Sequence, residues 1–143
     1  MGARTATLGG GGNYGLFYTV VPFYQASTTD AWLYGLQQNT ENRTNLALVN
    51  TGEVGGVPDV FNIELYDGAT GQLAATVRDV TLSARRWKQI NLILGQYAPQ
   101  VTQGYAHVIR TSGRNPFIAY AVINDGGQPG ERTDDGAFLA SSP

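Results

Sequence analysis

Residues 117–125, Phe-Ile-Ala-Tyr-Ala-Val-Ile-Asn-Asp, run straight into Gly126-Gly127. An apolar run rich in aromatic and β-branched residues, closed by an Asn-Asp-Gly-Gly turn, is a buried strand with its stop signal attached. The same plan recurs along the chain, with β-prone runs punctuated by Gly, Asn or Asp. Nothing like a catalytic constellation lies between them. A chain written this way is expected to be all-β.

The 143 residues suit one domain large enough to bury a core. Charged residues make up 14 %, well under the usual share of about a quarter. The 19 glycines and the 10 % of aromatics fit many short strands and tight turns. Net charge is −2 and the basic residues are dispersed, which argues against nucleic acid, a partner that needs a concentrated positive face. There is no Cys, so thiol catalysis and Cys-ligated zinc are excluded, while export is neither shown nor excluded. No apolar run is long enough to span a membrane as a helix. Met1-Gly2-Ala3-Arg4 lacks the apolar core of a secretory leader, so the expectation is a mature or excised piece carrying an added start Met.

Residues 1–13 read as a Gly-rich extension, with four glycines at 9–12, and 14–143 as one sandwich domain. Residues 14–26 form the most β-prone segment, interrupted by Pro22, as at an edge strand or bend. Residues 32–37 are a short strand. In 43–50, Leu46 and Leu48 face inward, with Ala47 and Val49 on the other face, so both sides can be covered. Phe61, Ile63 and Leu65 face inward from 60–66, with Asn62 and Glu64 outward. A hairpin turn at 67–71 leads into 73–82, whose alternation slips near Asp79, a bulge. Residues 87, 90, 94 and 97 have helical spacing, which predicts one short helical turn with Gly95 at its end. Residues 105–111 and 117–124 read as a strand pair joined by 112–115, and a last short strand falls around Phe138. Eight or nine strands make a two-sheet antiparallel sandwich, with a barrel as the alternative.

Leu33-Tyr34-Gly35-Leu36, Arg43-Thr44-Asn45-Leu46-Ala47-Leu48-Val49-Asn50, Leu65-Tyr66-Asp67, Gly104-Tyr105-Ala106, Phe117-Ile118-Ala119-Tyr120 and Asn124-Asp125 occur in order. This series resembles immunoglobulin-like β-sandwich modules of large secreted or surface proteins of bacteria, often found in tandem. The resemblance spans about 14–138. It implies an extracellular, non-catalytic, structural or adhesive module and supplies no catalytic residue, cofactor or metal ligand.

The candidate chemistry is sparse. His107 is the only histidine, and no G-x-S-x-G elbow accompanies it, so a structural or surface role is expected. Gly10, Gly12 and Gly15 match G-x-G-x-x-G without the strand before and helix after that a dinucleotide site needs. Asp125, Glu131, Asp134 and Asp135 could supply calcium oxygens from one loop, but the spacing is not that of an EF-hand, and a solvated turn is the expectation. Asn42-Arg43-Thr44 is a glycosylation sequon. In Arg85-Arg86-Trp87-Lys88 the indole is expected to plug the sandwich edge.

Two binding surfaces follow. Trp32, Tyr34 and Trp87 could form an aromatic platform for a polysaccharide. Leu16, Phe17, Tyr18, Val20, Val21, Phe23 and Tyr24 could form a strand that completes its own sheet or that of a neighbouring copy. The expected partners are a homo-oligomer or neighbouring domains of the same protein. The expected activity is none, and the expected functions are structural or adhesive module, possible fibre subunit, or carbohydrate-binding module.

Overall fold

The structure is a computed structural model and describes residues 2–9, 12–131 and 136–142. The described residues are almost all strand and turn. β1 (Gly2–Gly9) and β2 (Gly12–Thr19) form a two-stranded antiparallel ribbon. Eight further strands follow: β3 (Asp30–Gln37), β4 (Asn42–Asn50), β5 (Asp59–Asp67), β6 (Leu73–Leu82), β7 (Trp87–Ile90), β8 (Gln103–Ser112), β9 (Phe117–Asp125) and β10 (Ala137–Ala140). One short helix, α1 (Ile93–Tyr97), lies between β7 and β8.

These eight strands make two four-stranded antiparallel sheets. One has the order β10-β9-β4-β7 and the other β3-β8-β5-β6. Alternation explains why they stack. Leu46 and Leu48 of β4 share a single core with Leu33 of β3, Phe61, Ile63 and Leu65 of β5, Val108 of β8 and Phe117 of β9. Apolar residues two apart on a strand point to one face, so each sheet offers one apolar face and the two close on each other. Phe61 and Phe117 meet edge to face across the layers, with ring centroids 4.8 Å apart and planes at 63°.

The turn signals work where they are local. Asp67 starts the β5–β6 hairpin: its carbonyl accepts from Gly71 N–H at 2.7 Å, and its carboxylate accepts from Ala69 N–H at 2.8 Å. The bulge expected near Asp79 is present. Asp79 has φ 56°, the β5–β6 register slips between Phe61 and Ile63, and Asn62 Oδ1 accepts the freed Asp79 N–H at 3.1 Å.

Of the edge strand or bend expected at Pro22, the bend is present: β2 stops at Thr19, and Pro22 leads into a 3-10 turn at Phe23–Gln25. Proline has no N–H to give a ladder and its fixed φ starts the turn, which Gln25 N–H closes on Pro22 O at 2.9 Å. The extension drawn at 1–13 contains a strand, β1, that pairs residue for residue with β2; Gly10 and Gly11 lie outside the described residues. The one short helical turn expected within 87–97 is α1, but the residues before it form β7, and Gly95 sits inside the helix and not at its end. A Cβ there would stand 3.1 Å from Gln38 Oε1, so Gly95 packs closely against that side chain and is not a stop signal.

The last correction concerns β8 and β9, which are consecutive in sequence but belong to opposite sheets. The chain turns across the sandwich at 113–116 because Asp59 holds it there. Asp59 is fully buried, and its Oδ1 accepts the N–H groups of Arg114 at 3.0 Å and Asn115 at 3.3 Å. Gly113 has φ 93° and passes so close that a Cβ would collide with that carboxylate. Asn115 in turn accepts from Val54 and Gly55 N–H through Oδ1, which pins the loop 53–58 to the same end.

Candidate functional site

The strands β3, β8 and β5 lie side by side, and their residues alternate between the core and solvent. On the outer side the register sets Trp32 opposite His107, Tyr34 opposite Tyr105, Glu64 opposite His107 and Tyr66 opposite Tyr105. Outward positions of a sheet are normally polar, and this face instead carries four large aromatic rings.

The rings are packed on one another. The Trp32 indole stacks on the His107 imidazole at 3.8 Å with planes 6° apart. Tyr34 lies near-parallel to Trp32, at 6.2 Å and 7°. Tyr66 and Tyr105 stack at 5.0 Å and 4°, and both lie within about 6 Å of Trp32. Tyr34 remains 55 % exposed at the edge strand.

Polar groups tie the three strands together beneath and beside the rings. His107 Nε2 lies 2.7 Å from Asp30 Oδ2, and Nδ1 lies 3.4 Å from Glu64 Oε2. The Tyr66 hydroxyl donates to Glu64 Oε2 at 2.7 Å, and Thr29 Oγ1 donates to Asp30 Oδ1 at 2.9 Å. The hydrogen bond from His107, helped by the one from Thr29, lowers the Asp30 carboxyl below its ordinary range. The hydrogen bond to Glu64 raises the Tyr66 phenol, since ionising it would place two negative charges together.

A cleft of about 470 Å³ adjoins this face, between residues 24–29 and the C-terminal residues 141–142. Ser27, Thr28, Thr29, Ser141 and Ser142 line it, with Tyr24, 82 % exposed, at one wall. It joins the aromatic face along a shared seam. Ser142 and Trp32 exchange backbone hydrogen bonds of 2.8 Å each way, and Thr29 of the cleft is the donor to Asp30.

Of the proposed platform residues, Trp32 and Tyr34 are therefore together and Trp87 is not. Trp87 stands on the outer face of the other sheet, where its Nε1 donates to the Tyr120 hydroxyl at 2.7 Å and Tyr120 stacks on Phe138 at 5.3 Å. It is 54 % exposed, so it does not plug the sandwich edge, while Arg85, Arg86 and Lys88 do face water. Tyr66, Tyr105, Asp30 and Glu64 were not among the sequence candidates. Period-2 alternation names the faces of a strand, but only the order of the strands says which outward residues become neighbours.

The remaining candidates disperse. Leu16, Phe17 and Tyr18 belong to β2, Val20 and Val21 lie in the link after it, and Phe23 and Tyr24 lie in the 3-10 turn. The backbone of Gly12 and Gly15 is strand, and no helix follows it, so the dinucleotide pattern lacks its context. In the acidic loop, the carbonyls of Asp125, Gly126 and Gln128 converge on the Arg43 guanidinium, which donates to all three. A cation already fills the place where those oxygens meet. Glu131 accepts from Gln128 N–H at 2.9 Å, while Asp134 and Asp135 lie outside the described residues. In the sequon, Thr44 is buried within β4, where its hydroxyl bonds both N–H and C=O of Gln37.

Set beside known proteins, the chain matches no family model, no curated protein and no solved structure.

Proposed function

We propose that this chain is a non-catalytic, immunoglobulin-like β-sandwich module that serves a structural or adhesive role in an extracellular or surface protein. The observation that carries the reading is the ribbon β1–β2, which belongs to neither sheet of the sandwich. Among the described residues β1 pairs with β2 alone, so one backbone edge of the ribbon has no ladder partner. Such an edge is a template for a strand of a neighbouring domain or copy. Each addition presents a new edge, so the arrangement extends into a fibre rather than closing.

The immunoglobulin-like reading is supported by the central strands. β4 lies beside β7, and β5 beside β8, as strands B and E and strands C and F do in that sandwich. The flanks depart from it, since β3, the first strand of the two sheets, lies beside β8, and β9 lies beside β4. The extracellular setting rests on the sequence resemblance. The absence of catalysis is supported by His107, both of whose ring nitrogens face carboxylates rather than a hydroxyl nucleophile. A panel of glycosidase, esterase and protease substrates should give no turnover above buffer. Saturable turnover abolished by His107→Gln would end the non-catalytic reading.

The test of the structural role is the assembly state. Light scattering and negative-stain microscopy of the purified chain should show concentration-dependent oligomers or fibres, lost when residues 1–19 are deleted. A strictly monomeric chain, with or without those residues, rules out assembly through the ribbon.

A second reading, a carbohydrate-binding module, is favoured by one observation. The rings of Trp32, Tyr34, Tyr66 and Tyr105 lie on the solvent side of β3, β8 and β5 with carboxylates among them.

A further inference from the structure

We infer that the outer face of β3–β8–β5 and the cleft beside it form one continuous site for a neutral glycan chain. This rests on the carbohydrate-binding reading and assigns its location and ligand class. Three features of the surface point to that chemistry.

The first is the pairing of rings with fixed acceptors. A sugar ring has C–H faces that pack on aromatic rings and hydroxyl edges that need polar partners. Trp32 and Tyr34 supply near-parallel rings 6.2 Å apart on one strand, so successive units of a chain can meet successive rings. Their positions are set in advance: Trp32 by the imidazole stacked 3.8 Å from it, and the imidazole by Asp30 and Glu64 on either side. Preorganised side chains lose less freedom when a ligand arrives. Both contacts of Glu64, from Tyr66 and from His107, fall on Oε2, which leaves Oε1 as an acceptor for a ligand hydroxyl.

The second is the lining of the cleft. Hydroxyl side chains dominate it, and no described residue lining it carries a charged side chain. Hydroxyls both donate and accept, which suits a polyol and gives no preference to an ion. Tyr24 adds an exposed ring at its wall. Ser142 of the cleft pairs through its backbone with Trp32, which places the cleft beside the strand that carries the rings.

The third is charge. The ionisable groups packed against the rings are Asp30 of β3, Glu64 and Tyr66 of β5 and His107 of β8. One imidazole between two carboxylates leaves the face without surplus positive charge, so it repels anionic polymers. The apolar alternative, a protein partner, fits less well because carboxylates border the rings and hydroxyls line the adjoining cleft.

The intact chain is titrated by calorimetry with neutral hexasaccharides of glucose, xylose and mannose, with polygalacturonate as the anionic polymer and a chitosan hexamer as the cationic one. At least one neutral hexasaccharide should bind, and polygalacturonate should not. Trp32→Ala and Tyr34→Ala should each weaken binding about tenfold or more, Tyr34→Phe should keep it, and Trp87→Ala should leave it unchanged. Tyr24→Ala should weaken a hexasaccharide severalfold and a disaccharide not at all. Circular dichroism confirms that each variant is folded, and Tyr34→Ala, at an exposed edge position, remains informative if Trp32→Ala fails to fold. Binding to no glycan overturns both this inference and the carbohydrate reading. Glycan binding that survives Trp32→Ala and Tyr34→Ala, or that is lost in Trp87→Ala, overturns the location and leaves that reading standing. Tighter binding of polygalacturonate or chitosan than of every neutral hexasaccharide overturns the ligand class. An unchanged hexasaccharide affinity in Tyr24→Ala removes the cleft from the site.

Discussion

Asp59 is a buried carboxylate used as a turn anchor. Oδ1 satisfies two N–H groups of the β8–β9 turn, while Oδ2 is buried with no hydrogen-bond partner among the described residues. Asp59→Ala strands those donors, and leaving buried polar groups unpaired costs about 1–3 kcal/mol. Urea unfolding should show a loss of that size. Gly113→Ala should cost at least as much, because it combines positive φ with a collision at Asp59. A near-neutral result for both would mean that the turn is held by something else. Asp30 is a different kind of residue, exposed enough for solvent to screen its contacts. Its carboxyl is lowered by His107 and Thr29, so its contribution is fully present above the ordinary aspartate value of about 3.9. It is lost as the pH falls through the lower folded value. The stability difference between wild type and Asp30→Asn should therefore shrink as urea midpoints are followed from neutral to strongly acid pH. A difference that does not change with pH would mean that the hydrogen bonds to the Asp30 carboxylate contribute nothing to stability.

At the scale of elements, the ribbon β1–β2 is the outlier. A lone two-stranded hairpin is marginal in water, and the ribbon is hydrogen-bonded into neither sheet of the sandwich. Deleting residues 1–19 should leave the far-ultraviolet spectrum of a folded β protein and shift the melting temperature by only a few degrees, about the effect of 1 kcal/mol in a chain this long. Collapse of the fold on deletion would show that the ribbon completes the sandwich. β7 is the other element whose environment decides its role. Four residues long, it holds Trp87 out on the sheet against Tyr120. Tyr120→Phe removes the only acceptor shown for that indole and should alter Trp87 emission in a Trp32→Phe background while leaving stability within about 1 kcal/mol.

At the scale of the molecule, five connections in the sandwich, β3–β4, β4–β5, β6–β7, β7–β8 and β8–β9, cross between the sheets, so neither sheet is built from one stretch of sequence. The sheets are expected to unfold together. Phe117→Ala removes a fully buried ring that touches Phe61 in the opposite layer and should cost about 3–5 kcal/mol. Fluorescence from Trp32 and Trp87, one on each sheet, and circular dichroism should report a single transition in wild type and variant alike. Separate midpoints for the two indoles would mean that the layers fold independently.

The sequence by itself determined the class of fold, the inward residues of β4 and β5, the β5–β6 hairpin and the bulge at Asp79. Each of these is written in a period of two or in a turn residue acting on its immediate neighbours. Only the tertiary structure decided which strands are adjacent. The Gly113 turn reads as a hairpin until Asp59, far away in sequence, draws it across the sandwich. The candidate site was half legible for the same reason. Trp32 and Tyr34 share a strand face and could be found by alternation, but Tyr66, Tyr105, His107, Asp30 and Glu64 join them through the order β3-β8-β5, and Trp87 leaves them because β7 belongs to the other sheet. Side-chain direction is a local property of a strand, whereas the company a side chain keeps is a property of the whole fold.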